Sequence, residues 1–143
     1  MDKKKVLFVC VHNSGRSLMA EAFFNKLAGE KAIALSAGTQ PESQINPTVV
    51  GVMHEVGLDI SHKVPTLVTL DMMEIADRVI SMGCGAELMC PAGIVPMEDW
   101  HIEDPQGKPP NEVRRIRNII LGKVKALIEE LDKEPIRLKG GEK

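Results

Sequence analysis

The sequence predicts an open α/β domain, a parallel sheet covered by helices on both faces. Three observations predict it. Six apolar residues in a row, 6–11, read as a strand buried on both faces. A small polar turn then drives that strand straight into the helix-forming run LMAEAFFNKLA, and strand patterns go on alternating with helix patterns along the chain. Finally, 143 residues suffice for one core of ordinary size, and no internal repeat or low-complexity run divides them. Residues 1–136 are therefore expected to form a single domain and 137–143 a flexible tail.

Each element has its own signal. The first helix is expected from about Ser17 to Ala28, with Met19, Phe23 and Leu27 on one apolar stripe and Gly29 as its stop. Residues 32–37 are apolar enough for a second strand, ended by Gly38-Thr39-Gln40-Pro41. Asn46-Pro47 is a helix cap followed by proline in the first helical position; Val49, Met53 and Val56 give the buried face and Gly57 the end. Residues 58–68 read as irregular. Thr69 or Asp71 caps a short helix, Asp71 and Glu74 having capping-box spacing. Residues 78–82 form a third strand. The stretch 83–112 holds five of the nine prolines and four glycines, so it reads as loop, with a short fourth strand around 94–97. Asn111 caps the last helix, whose Val113, Ile116, Ile120, Val124, Leu127 and Leu131 recur at three or four.

Composition narrows the function. A net charge of −2 gives no basic field, so nucleic acid is not an expected partner. No run reaches the roughly 18 apolar residues of a membrane span, and the MDKKK start leads into a strand, not a leader peptide, so the expectation is a cytoplasmic monomer. Three cysteines, an odd number, argue against a disulfide framework and for catalytic or redox use.

The first candidate site is the turn itself. A strand running into a helix N-terminus aims backbone N–H groups and the positive end of the helix dipole at one spot, which suits an anion. Cys10 stands at one edge and Arg16 at the other, so a thiolate and a tetrahedral oxyanion can share the cradle formed by Val11, His12, Asn13, Ser14, Gly15, Arg16 and Ser17. Arg16, the helix terminus and a hydroxyl hydrogen from Ser17 all favour the thiolate. Asn13 tolerates a left-handed turn, Gly15 lets the backbone approach the anion, and His12 lines the mouth or is simply solvated. The second candidate is Glu103-Asp104-Pro105, where a carboxylic acid close to the cradle can protonate a departing oxygen.

CVHNSGRSLMAEAF, the SAGT of 36–39, NPTVVGVMHEVGLDIS and the Asp104-Pro105 loop resemble the low-molecular-weight tyrosine phosphatase superfamily, and in particular its arsenate reductases coupled to thioredoxin-like or other thiol reductants. The resemblance implies a three-layer open sandwich with a four-stranded parallel sheet. It also implies Cys10 as nucleophile, Arg16 and the loop amides as oxyanion ligands, and Asp104 as general acid. No cofactor or metal is implied.

Cys84 and Cys90 separate the two branches of that superfamily. A reductase that takes electrons from a thiolate must pass on an oxidised sulfur, which calls for a second thiol and a third. A phosphatase needs neither, and there the two cysteines are a strand-end core residue and an idle thiol. Gln106-Gly107-Lys108 follows Asp104-Pro105 where the phosphatases tend to place aromatics, and the chain has no tyrosine. That favours a small inorganic substrate. The resulting expectation is arsenate reduction, with phosphate or sulfate competing and thioredoxin, glutaredoxin or a low-molecular-weight thiol as reductant. Phosphomonoester hydrolysis is the alternative, and a chain that only binds anions or senses oxidants is the reading without turnover.

Overall fold

The computed structural model describes residues 4–82 and 97–133. Four strands, β1 (Lys4–Cys10), β2 (Ala32–Gly38), β3 (Arg78–Ser81) and β4 (Met97–Asp99), form one sheet in the order β2-β1-β3-β4, every neighbouring pair parallel. The helices are α1 (Arg16–Ala28), α2 (Pro47–His54), α3 (Leu70–Ile75) and α4 (Pro110–Lys133).

The two-sided burial expected of β1 follows from its alternation. Val6, Phe8 and Cys10 belong to the large core shared with α1, α2 and α4, whereas Leu7 and Val9 meet Ala37, Val79 and Met73 of α3 on the opposite face. The result is three layers. Phe8 anchors the larger core, edge-on to Phe24 of α1 with centroids 6.0 Å apart and tilted against Trp100 at 5.5 Å. Truncating so large a buried ring typically costs about 3–5 kcal/mol.

The strand order also creates the crevice. From β1 the chain passes through α1 to β2 on one side, and β3 later adds on β1's other side, so the strand order reverses at β1, and a ligand crevice is expected beyond its carboxyl end.

Several local expectations shift. Strand β1 ends at Cys10, so Val11 begins the turn, and α1 begins one residue early, at Arg16. Leu27 is 46% exposed although Phe23, Phe24 and Ala28 of the same helix stay buried, so the apolar stripe expected through Met19 and Phe23 does not carry on to the last turn of α1. Val56 is exposed because α2 stops at His54. The fourth strand is described at Met97–Asp99, sharing Met97 with the expected 94–97, whose residues 94–96 lie outside the described residues. Helix α4 begins at Pro110, with the Pro109 carbonyl accepting from the N–H groups of Glu112 (3.0 Å) and Val113 (3.1 Å). Proline at the first helical position thus replaces the expected Asn111 cap. The tail 137–143 lies outside the described residues.

Candidate active site

The turn after β1 owes its shape to a strap, residues 39–46, lying alongside it. The carbonyls of Cys10, Val11, His12 and Ser14 accept from the N–H groups of Thr39 (3.1 Å), Gln40 (2.7 Å), Glu42 (2.9 Å) and Asn46 (2.9 Å). In a trans peptide the carbonyl and the next N–H point in opposite directions. Carbonyls drawn outward therefore turn the amides of Val11, His12, Asn13 and Gly15 inward. One contact bears this out directly: the Asn13 N–H donates to Cys10 Sγ at 3.2 Å.

Cys10 is 2% exposed, yet its sulfur is a hydrogen-bonded centre. Ser17 Oγ lies 3.0 Å from Sγ and also accepts from Asn13 Nδ2 at 2.7 Å. A thiolate can only accept, so with Cys10 ionised the Ser17 hydroxyl donates to sulfur alongside the Asn13 backbone N–H. Both bonds strengthen when the sulfur is a thiolate. Asn13 adopts the left-handed conformation (φ 48°) expected of it. Its side chain does not bond its own backbone, however; Oδ1 accepts from the N–H of Thr66 at 2.8 Å and so ties the turn to the segment before α3.

Helix α1 starts here without a capping side chain, its N-cap being Gly15. Helices α2 and α3 are capped by Asn46 (Oδ1 to Thr48 N, 2.9 Å) and Thr69 (Oγ1 to Met72 N, 3.1 Å). The start of α1 thus keeps its partial positive charge for the pocket. Arg16, buried at that start, donates through Nη1 to the carbonyls of Met82 (3.3 Å) and Ile102 (2.9 Å), and its Nη2 lies 3.7 Å from Asp104 Oδ2. One guanidinium joins α1, the end of β3 and the loop that carries Asp104.

That loop is fixed on several sides. Asp104 Oδ1 accepts from the Gln106 N–H at 3.0 Å, Pro105 packs over Gly15, and Glu103 pairs with Arg115 of α4 (2.7 Å) and with Lys108 (2.9 Å). The hydrogen bonds from Arg115 and then from Lys108 hold the Glu103 carboxyl down at about 2, so Glu103 is a permanently charged brace and not a proton donor at ordinary pH. Asp104, 48% exposed, stands beside it.

Cys10, His12, Ser14, Gly15, Arg16, Asn46, Asp104, Pro105 and Gln106 line one open pocket. A nucleophilic sulfur, a guanidinium, inward amides and a carboxyl thus converge on a space suited to a small tetrahedral anion.

The chain matches the model of the family described as low molecular weight phosphotyrosine protein phosphatase over residues 5–137. The chain belongs to this family. Among curated members it is 37% identical to Arsenate reductase 1 of Staphylococcus epidermidis over 131 residues, 90% of this chain and 96% of that protein. A solved arsenate reductase in its phosphate-binding state superposes with a TM-score of 0.80 at 36% identity, covering 89% of this chain and 98% of that one. The thioredoxin-dependent arsenate reductase of Corynebacterium glutamicum gives 0.78 at 34% identity, over 91% of this chain and 62% of the longer protein.

Within the low molecular weight phosphatase frame, the pocket gathers Cys10, Arg16 and Asp104 as the sequence suggested. Cys84 and Cys90 lie outside the described residues. Sequence reasoning missed the strap and its hinge, Gly38. A β-carbon there would meet Val11 O at 2.6 Å, Asn13 N at 2.9 Å and Asn13 Cβ at 3.0 Å. The only signal was a glycine closing a strand. Thr66 was missed as well, because nothing local in an irregular stretch announces a partner 53 positions away. Among the described residues no helix is long and apolar enough to cross a membrane.

Proposed function

We propose that this chain is an arsenate reductase that uses Cys10 as its nucleophile. The observation carrying the proposal is the Cys10 sulfur hydrogen-bonded by Asn13 and Ser17 in a pocket it shares with Arg16 and Asp104. The relatives named arsenate reductases, similar over nearly the whole chain, select arsenate among tetrahedral oxyanions.

In the first step the Cys10 thiolate attacks arsenic, and one arsenate oxygen leaves as water once Asp104 has supplied a proton. Arg16 and the amides of the turn hold the remaining oxygens while charge shifts onto the departing one. A Cys10–S–As(V) adduct results. Cys84, as thiolate, then attacks the Cys10 sulfur; the S–As bond breaks, its electron pair goes to arsenic, and arsenite leaves as As(III). The product is a Cys10–Cys84 disulfide. Cys90 attacks Cys84, restores the Cys10 thiolate and leaves a Cys84–Cys90 disulfide, which an external dithiol such as thioredoxin reduces. The presence of a thioredoxin-dependent enzyme among the similar structures supports that reductant class, with glutaredoxin or a small thiol completing the cycle otherwise.

Mass-spectrometric thiol mapping after one equivalent of arsenate tests the scheme. It is expected to find Cys84 and Cys90 joined in the wild type and Cys10 joined to Cys84 in a Cys90→Ser variant. Multiple-turnover arsenate reduction surviving Cys84→Ser would refute the relay. The family description favours one second reading, phosphomonoester hydrolysis through a phosphocysteine. It predicts p-nitrophenyl phosphate turnover in the Cys84→Ser variant and no arsenite from the wild type.

A further inference from the structure

The turn carries one ionisable side chain that the scheme above does not use. His12 lines the pocket together with Cys10, Arg16 and Asp104. The strap grips this residue at two points: the Glu42 N–H donates to the His12 carbonyl at 2.9 Å, and Glu42 Oε2 lies 3.1 Å from His12 Nδ1. A second oxygen, the carbonyl of Gln40, is 3.4 Å from the same ring nitrogen. Two acceptors on Nδ1 fix the tautomer, because that nitrogen must carry the hydrogen. Nε2 is left for exchange of a proton with the surroundings. Both side chains are partly open to water, at 31% for His12 and 40% for Glu42, as suits the rim of an entrance.

We propose that the His12–Glu42 pair is a charge-switching rim that selects dianionic oxyanions: it accepts them when the imidazole is protonated and repels them when it is neutral. This rests on the oxyanion reading of the pocket. With imidazolium the pair is neutral overall, and an Nε2–H stands ready to donate to an anion. With neutral imidazole the pair keeps only the Glu42 charge, held 3.1 Å from a ring that lines the pocket, and that charge opposes an entering dianion. A change of one unit charge at the rim alters the affinity for a dianion roughly fivefold in a solvent-exposed setting at low salt. The charged or titratable groups around the ring are Glu42 from the strap, Cys10 and Arg16 from β1 and α1, and Asp104 from the loop after β4. Carboxylates and guanidinium ordinarily titrate outside the interval from about pH 6 to about pH 8, in which histidine changes charge. Among the described residues that line the pocket, the remaining ionisable group is the Cys10 thiol, so the test removes it.

Inorganic sulfate is the probe, since it remains a dianion throughout that interval. Its affinity for the full chain carrying Cys10→Ser is measured by calorimetry at about pH 6 and about pH 8, at constant low ionic strength. The expected result is roughly fivefold weaker binding at the higher pH. Adding His12→Gln is expected to abolish that difference and leave the weak affinity at both pH values. Adding Glu42→Gln instead is expected to tighten binding several-fold at the higher pH, an independent readout should His12→Gln perturb the turn. A fivefold fall that persists in His12→Gln, or a Glu42→Gln variant no tighter than its parent, overturns the inference. Equal sulfate affinity at both pH values in the Cys10→Ser parent overturns it too, while leaving the oxyanion pocket standing. No sulfate binding at either pH would refute the pocket reading and this inference with it.

Discussion

Replacing Gly38 with alanine tests whether the strap shapes the turn. The added carbon would sit 2.6 Å from the Val11 carbonyl oxygen, where ordinary contact begins at 3.4 Å, so something must move by about 0.8 Å, the difference of the two. The atoms in the way are backbone, with Asn13 N at 2.9 Å as well, and they cannot rotate aside. Nor can β2 retreat readily. Gly38 pairs with Cys10 in the sheet, donates to Thr66 O at 2.7 Å and accepts from the Val68 N–H at 2.8 Å. Overpacking of this kind costs about 1–3 kcal/mol. In a chain of this size that lowers Tm by roughly 3–10 °C. The larger effect is expected on chemistry, because the displaced peptides include the Asn13 N–H that donates to Cys10 Sγ and the Val11 carbonyl whose outward turn sets the next amide inward. A misplacement of about 1 Å can cost 10²-fold in rate.

Two other glycines calibrate the measurement. At Gly15 an added carbon meets the ring edge of Pro105 at 3.1 Å, a side chain able to yield by a few tenths of an ångström. At Gly51, in α2, nothing lies within 4 Å, and alanine is expected to stabilise the helix by about 0.5–1 kcal/mol. The order of activity is therefore Gly51→Ala near wild type, Gly15→Ala reduced, and Gly38→Ala lowest, read as kcat/KM beside urea unfolding of each variant. A Gly38→Ala protein within twofold of wild type in kcat/KM and unshifted in Tm would refute the role assigned to the strap.

Ser17→Ala removes one of the two donors at the Cys10 sulfur, and hydrogen bonds to charged groups are worth about 1.5–3 kcal/mol; kcat/KM and the rate of Cys10 alkylation at neutral pH should both fall by at least tenfold, with the fold intact by circular dichroism. Arg16→Lys keeps the charge but loses the planar fork that reaches the Met82 and Ile102 carbonyls, so at least a hundredfold loss of kcat/KM is expected, with weaker phosphate inhibition. For Glu103 the sign follows from a lowered value: its ion pairs support the loop above the unfolded value of 4.5, and this support is lost as pH falls through about 2. A carboxyl NMR titration should place the Glu103 midpoint near 2, and Arg115→Ala should move it upward.

The legible part of this protein was whatever period and punctuation encode. The apolar run 6–11 reads as a doubly buried strand and residues 6–10 of it form one, and Asn46-Pro47 and Thr69 announce helix starts that the structure places at Pro47 and Leu70. What stayed hidden depends on contacts between distant segments. Leu27 fits a stripe on paper, yet it stands exposed in the last turn of α1 while Met19 and Phe23 are buried, an outcome that the packing of distant segments decides. The positions of Gly38, Thr66 and Glu42 around the turn follow from β2 lying beside β1, and no local pattern carries that adjacency.

The electrostatics of the turn explain why its sequence breaks local rules. A cation in the first turn of a helix opposes the macrodipole, a helix start without a capping side chain forgoes about 1 kcal/mol, and a buried guanidinium is ordinarily paired. Arg16 meets two carbonyls, and among the described residues its nearby carboxylate, Asp104, stands 3.7 Å away and half exposed. Alongside it lie inward amides and the uncapped end of α1. So much uncompensated positive potential in one pocket is tolerable because the rest of the fold pins it: outward carbonyls bound by the strap, Asn13 tied to Thr66, and Arg16 itself fastened to β3 and to the loop after β4. The same excess stabilises whatever negative charge enters, first a thiolate at Cys10 and then an oxyanion above it. Local instability and anion affinity are thus one property, and the strap is the part of the structure that allows the chain to keep it.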